Sequence, residues 1–308
     1  TLVFRPRLAW PYLPFGLNSV GASLTDFGAK NFSTLMVGSL LGVATAGHYA
    51  MAYQIVRVPE LVVSGPLYLS MFVSVARWGD DVKGALPLAL KGLRGGVALL
   101  APLFCGLALV SDPLVKLLLG PAWTATGPIL TLLAPAGFFL CCFSFLGATL
   151  LGLGRSDLQF RLILLSSTLL VAGTVIGSRF GATGVAGGMS AGAALAAPAY
   201  LYLLARQFHL PIATLLHEIL SPIMATAAMA IVVFTIRREL PAGYDARNLA
   251  ILVPSGVASF ALALTIFSGA RLREDFRWLL GSSRRTGNEK SDGRKADSPP
   301  ILTHEPLS

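Results

Sequence analysis

PILTLLAPAGFFLCCFSFLGATLL, residues 128–151, contains no charged side chain and few groups that could hydrogen-bond to a partner outside the helix. A helix of this length spans about 36 Å, enough to cross the roughly 30 Å hydrocarbon core of a bilayer. Unpaired backbone groups are prohibitive in hydrocarbon, so such a run must be helical or belong to a closed barrel. Barrels are built from short alternating segments, which this chain lacks. The stretch therefore reads as a transmembrane helix.

Seven more runs of the same kind lie on either side of it. They cover 15–42, 46–76, 86–110, 160–176, 184–204, 219–236 and 249–267. The whole chain is 54% hydrophobic and 13% charged, with a mean hydropathy of +0.70. Soluble domains carry about twice that share of charge. The expected fold is all-α, a polytopic bundle of about eight transmembrane helices. Small residues crowd the spans, as in GATGVAGGMSAGAALAA, and allow helices to approach closely.

The net charge of +9 would suggest nucleic acid in a soluble protein, but here it fits the excess of Lys and Arg in cytoplasmic loops. With Arg5 and Arg7 inside, seventeen of the 24 basic residues fall on the inner side. Five lie outside (Lys116, Arg179, Arg237, Arg238, Arg247), and Lys30 and Arg57 fall within spans. Both ends of the chain are thus expected in the cytoplasm, with no nucleic-acid partner. Residues 1–14 form a cytoplasmic lead-in, and 271–308 a basic tail too polar to fold on its own. Cys105, Cys141 and Cys142 lie in apolar runs without metal-ligand spacing.

Charges within spans are costly and mark function by default. Asp26 and Lys30 stand four apart, on one helical face. If their helix begins near residue 15 the pair lies deep in the bilayer beside a wet cavity; if it begins near residue 32 the pair is interfacial. Arg57 and Glu60 are three apart around Pro59, which removes a backbone donor and favours a bend. They form either a self-neutralising structural pair or, through Arg57, a contact to a phosphate oxygen. Asn31 and Gln54 are secondary candidates for sugar hydroxyls, with helix bridging the simpler role. Tyr49 and Trp123, near outer turns, read as interface anchors. No nucleotide-binding loop, catalytic triad or metal cluster is evident, so neither an enzyme nor a cofactor is expected.

Three motifs carry a resemblance. LMVGSLLGVATAGHYAMAYQIVRVPELV (35–62) has Gly38, Gly42, Gly47, Tyr49, Ala52 and Pro59 at characteristic positions. VKLLLGPAWTATGPILTLLA (115–134) and LLGLGRSDLQFR (150–161) follow in matching order. Together they resemble the polysaccharide transporter family, Wzx-like lipid-linked oligosaccharide flippases of the MATE-like multidrug/oligosaccharidyl-lipid/polysaccharide superfamily. One departure is LSMFVSVARW (69–78), where members often carry a proline before the inner loop.

The resemblance implies a two-lobed machine. Residues 15–206 would be its second six-helix lobe and 207–270 two additional helices. The opening Thr1 fits a chain whose first lobe lies upstream. The implied activity is turning undecaprenyl-pyrophosphate-linked saccharides across the bacterial inner membrane by alternating access. Arg57 and Lys30 would be the cations of the cavity, with Asp26 and Glu60 beside them. Implied partners are the lipid-linked oligosaccharide, membrane lipids and a polysaccharide polymerase or export machinery. The alternatives are a MATE-like multidrug exporter, or an accessory or enzymatic membrane subunit of polysaccharide synthesis.

Overall fold

The computed structural model describes residues 13–78, 82–240 and 246–267, all within one compact unit. Most of the lead-in, the loop at 79–81 and the tail 271–308 lie outside the described residues. The described residues are almost entirely helical, without a strand, and the chain is a polytopic α-helical membrane bundle. In chain order the helices are α1 (Leu13–Leu41), α2 (Val43–Pro59), α3 (Gly65–Ala76), α4 (Val82–Leu109) and α5 (Ser111–Leu119). They continue as α6 (Thr126–Gly152), α7 (Ser156–Gly177), α8 (Gly181–Gln207), α9 (Ile212–Glu239) and α10 (Ala246–Phe267).

Six helical stretches are long and apolar enough to cross a membrane. One of them, Ser156–Gln207, has 52 residues and is two helices, α7 and α8, because Gly181 at φ 76 ends one direction of travel and begins another. The expected first span, α1, is long enough but stands outside the six on hydropathy. Its hydroxyls are satisfied within the helix. Ser19 donates to the Phe15 carbonyl at 2.9 Å, Ser23 to Ser19 at 3.0 Å and Thr25 to Gly21 at 2.8 Å.

α6, the run first quoted, is the hub and packs against α2, α3, α4, α5 and α8. It is apolar around its whole circumference, as a fully surrounded helix must be. Its buried residues include Leu130, Leu133, Ala134 and Cys141. The tightest pair is α7 with α8. A Cβ on Gly173 would strike the Gly188 carbonyl, and one on Gly177 would strike that of Gly184; the reciprocal clashes also occur. These glycines bring two backbones into direct contact, the small-residue packing expected of helices in lipid.

α9 and α10 share a separate small core with the end of α4, formed by Val110, Met229, Val233, Leu249 and Leu252. Two ion pairs tie α9 to the α4–α5 segment. Arg94 meets Glu218 at 3.3 Å, and Arg237 reaches Asp112 at 2.7 Å while also donating to the Leu109 carbonyl at 2.5 Å.

Tyr49 corrects its expected interfacial role. It is fully buried, and its hydroxyl lies 3.6 Å from the Met189 sulfur on α8. Its neighbour His48 faces the turn between α5 and α6 instead, edge-on to Trp123 at 5.2 Å and 3.0 Å from the Thr126 hydroxyl. One helical step of about 100° separates the two orientations.

Candidate functional site

α1 begins at Leu13, so Asp26 and Lys30 lie well within the helix and not at its start. Lys30 is about 16 Å from the helix's far end, at 1.5 Å per residue. Its ammonium meets Asp26 at 3.0 Å, as their spacing predicts, and Glu60, just after the end of α2, at 2.8 Å. The expected Arg57–Glu60 pair does not form: Glu60 bonds across helices to Lys30, and Arg57 is exposed without an ion pair among the described residues.

The backbone widens directly after this point. Pro59 cannot donate a backbone hydrogen bond, and the helix widens into a π turn over Glu60–Ser64, where Gly65 N–H reaches back to the Glu60 carbonyl. Arg57 and Glu60 keep their helical spacing, the Glu60 N–H bonding to the Arg57 carbonyl, and the Glu60 carboxylate turns to the Lys30 ammonium on the neighbouring helix. α2 and α3 therefore run on as a single helical stretch with a widened turn at the site. The Ser64 hydroxyl in that turn is buried without a hydrogen-bond partner among the described residues.

The secondary candidates do not join the triad. Asn31 is exposed and donates to the Phe27 carbonyl at 2.7 Å, and Gln54 is exposed on α2. On its other side Asp26 borders a polar cleft of about 200 Å³ among α1, α3, α6, α7 and α8. Its lining includes Ser23, Tyr68, Ser144, Gln159, Ser166 and Tyr200. Tyr200 stacks flat on Phe143, with ring centres 4.0 Å apart, and its hydroxyl is 3.3 Å from that of Ser166. Sequence reasoning missed these residues. They are spread over separate helices, and only the bundle brings them together.

A second hollow is hydrocarbon-lined. A furrow of about 650 Å³ runs between α2, α4, α9 and α10, bounded by Val58, Pro59, Leu103, Val233, Leu252 and Phe260. Pro59 thus lines the furrow while its neighbour Glu60 holds Lys30. An ammonium neutralised by two carboxylates and a strip of bare hydrocarbon lie one residue apart. The described residues contain no cluster of His, Cys, Asp and Glu able to hold a metal.

Comparison with known proteins agrees with this architecture. A family model described as polysaccharide biosynthesis protein matches residues 1–128. The chain is 28% identical over 190 residues to the lipopolysaccharide biosynthesis protein WzxC of Escherichia coli (strain K12), covering 59% of this chain and 39% of that protein. It is 27% identical over 269 residues to the teichuronic acid biosynthesis protein TuaB of Bacillus subtilis (strain 168), covering 85% and 55%. The succinoglycan biosynthesis transport protein ExoT of Rhizobium meliloti (strain 1021) is 24% identical over 147 residues, 47% of this chain and 30% of that protein. The chain therefore spans about half or less of the length of these relatives. Its fold matches that of the lipid II flippase MurJ in the inward closed conformation, with a TM-score of 0.64 at 15% identity over 88% of this chain and 57% of that one. By sequence the chain is thus similar to polysaccharide biosynthesis proteins over part of its length, and by fold it is a multi-pass helical bundle similar to MurJ.

Proposed function

We propose that this chain acts as one lobe of a flippase that carries lipid-linked saccharides, of the undecaprenyl-pyrophosphate kind, across the bacterial inner membrane. The observation that carries the reading is the Lys30 ammonium held between Asp26 and Glu60 within the helical bundle, one residue from an apolar furrow. Intramembrane charge on this scale marks a path for polar cargo. A diphosphate crossing the bilayer needs cations to replace its water. Lys30 supplies three donors, two of them engaged by carboxylates, and exposed Arg57 adds a guanidinium fork suited to phosphate. The furrow is long and apolar, as a prenyl tail requires. The names of WzxC, TuaB, ExoT and MurJ support the same assignment.

On this reading the chain is a transporter and not an enzyme. Both ends face the cytoplasm, and a polymerase or export assembly takes up the product. Movement is driven by a gradient or by a partner and proceeds by rocking one lobe against another around the site. An exporter of organic cations would instead require an acidic surplus, whereas Asp26, Glu60, Lys30 and Arg57 sum to zero formal charge.

The test is genetic. Deleting the gene should make lipid-linked repeat units accumulate on the inner leaflet, and unchanged polysaccharide export would reject the reading. Among point variants, Arg57→Ala should lower export at least tenfold more than Arg179→Ala at equal expression, using about 1.4 kcal/mol per tenfold for one charge-assisted contact. Equal export would remove Arg57 from the path.

A further inference from the structure

Three arginines converge where α6 turns into α7 and α8 turns into α9. Arg155, Arg161 and Arg206, with His209, line a pocket of about 450 Å³ whose remaining walls are Leu158, Leu203 and Gln207. The backbone is shaped to gather them. Gly154 at φ 72 turns the chain so that Arg155 N–H bonds to the Leu150 carbonyl at 2.9 Å, immediately ahead of α7. Across from it, His209 adopts φ 55, uncommon for a residue with a side chain. Its N–H reaches the Arg206 carbonyl at 3.3 Å, and Leu210 N–H reaches that of Ala205 at 2.9 Å. The close packing of α7 on α8 keeps the two turns at one end of the helix pair, opposite the glycine seam.

None of the three arginines forms an ion pair among the described residues. Asp157, two residues from Arg155, pairs with none of them. Permanent cations around one hollow repel each other unless an anion sits between them, and guanidinium forks match phosphate oxygens. Leu158 and Leu203 add hydrocarbon to the wall. We infer that this pocket binds a phosphate-bearing headgroup of an anionic lipid in the leaflet at that end of the bundle, the cytoplasmic one by the distribution of basic loops. The site lies apart from the Lys30 triad, and its assignment is independent of the flippase reading.

The experiment uses the purified full-length protein in neutral detergent and scores bound lipid by native mass spectrometry. Phosphatidylglycerol should be retained in preference to phosphatidylcholine. Each of Arg155→Gln, Arg161→Gln and Arg206→Gln should weaken it about fivefold, the equivalent of roughly 1 kcal/mol per basic residue near an anionic headgroup. Arg179→Gln, in an outer turn, should leave retention unchanged. Inorganic pyrophosphate forms the second arm. Displacement of the lipid only at millimolar pyrophosphate supports the lipid headgroup. Tight pyrophosphate binding without lipid preference overturns the lipid source and assigns the pocket to a soluble phosphoanion. Retention unaffected by all three substitutions overturns the site. Because the three positions are exposed, elution of each variant as wild type in size exclusion separates loss of binding from loss of fold.

Discussion

Lys30→Met isolates the central charge of the candidate path. The ammonium lies 2.8 Å from Glu60 and 3.0 Å from Asp26, with the three side chains 16%, 25% and 42% exposed. At an effective dielectric of about 20, a contact of this kind is worth at least about 4 kcal/mol of attraction, opposed by several kcal/mol of desolvation per ion. Removing only the cation leaves Glu60 three-quarters buried with no partner, and such one-sided losses cost about 3–5 kcal/mol. Asp26 can turn to water, so the lower end applies: about 3 kcal/mol, or roughly a hundredfold in the unfolding equilibrium. The variant Lys30→Met with Asp26→Asn and Glu60→Gln removes every charge together and should return to within about 1 kcal/mol of wild type. Reversible unfolding in mixed micelles measures both, and an export assay follows in cells. The single and triple variants should both lose export, although only the single is unstable. A single variant as stable as wild type, or a triple as unstable as the single, would show that the three groups do not form one closed charge network. A triple variant that exports normally would reduce the triad to scaffolding.

Two further outcomes follow from packing. Gly188→Ala should destabilise by about 1–3 kcal/mol, since its Cβ meets the Gly173 carbonyl, whereas Gly187→Ala, with nothing within 4 Å, should be neutral or slightly stabilising in the same unfolding assay. Arg237→Ala should cost about 1 kcal/mol, because its pair with Asp112 is half-exposed, and should speed hydrogen exchange at the end of α9 while leaving α1–α3 unchanged.

Helix identity was legible because hydrocarbon leaves the backbone no other choice. The uncharged run at 128–151 lies within α6, and each of the other expected spans falls on a helical stretch. Boundaries were less legible. α4 starts at Val82 and α9 at Ile212, each several residues before its apolar run, because interfacial residues extend a helix without being greasy. The Asp26–Lys30 contact could be read from spacing because both groups share one helix. The bond from Lys30 to Glu60 could not, since it depends on how α2 packs on α1. Tyr49 was misplaced because nearness to a turn in sequence does not say which way a side chain points. The polar cleft around Tyr200 was hidden for the same reason: its members come from five helices.

Where α7 and α8 touch through bare glycine backbone, no flexible side chains lie between them to rearrange. A joint of that kind resists sliding, so the two helices should move as a single stiff beam. The arginine pocket sits at one tip of that beam. A lipid gripped there would act on a long lever whose motion reaches the opposite leaflet.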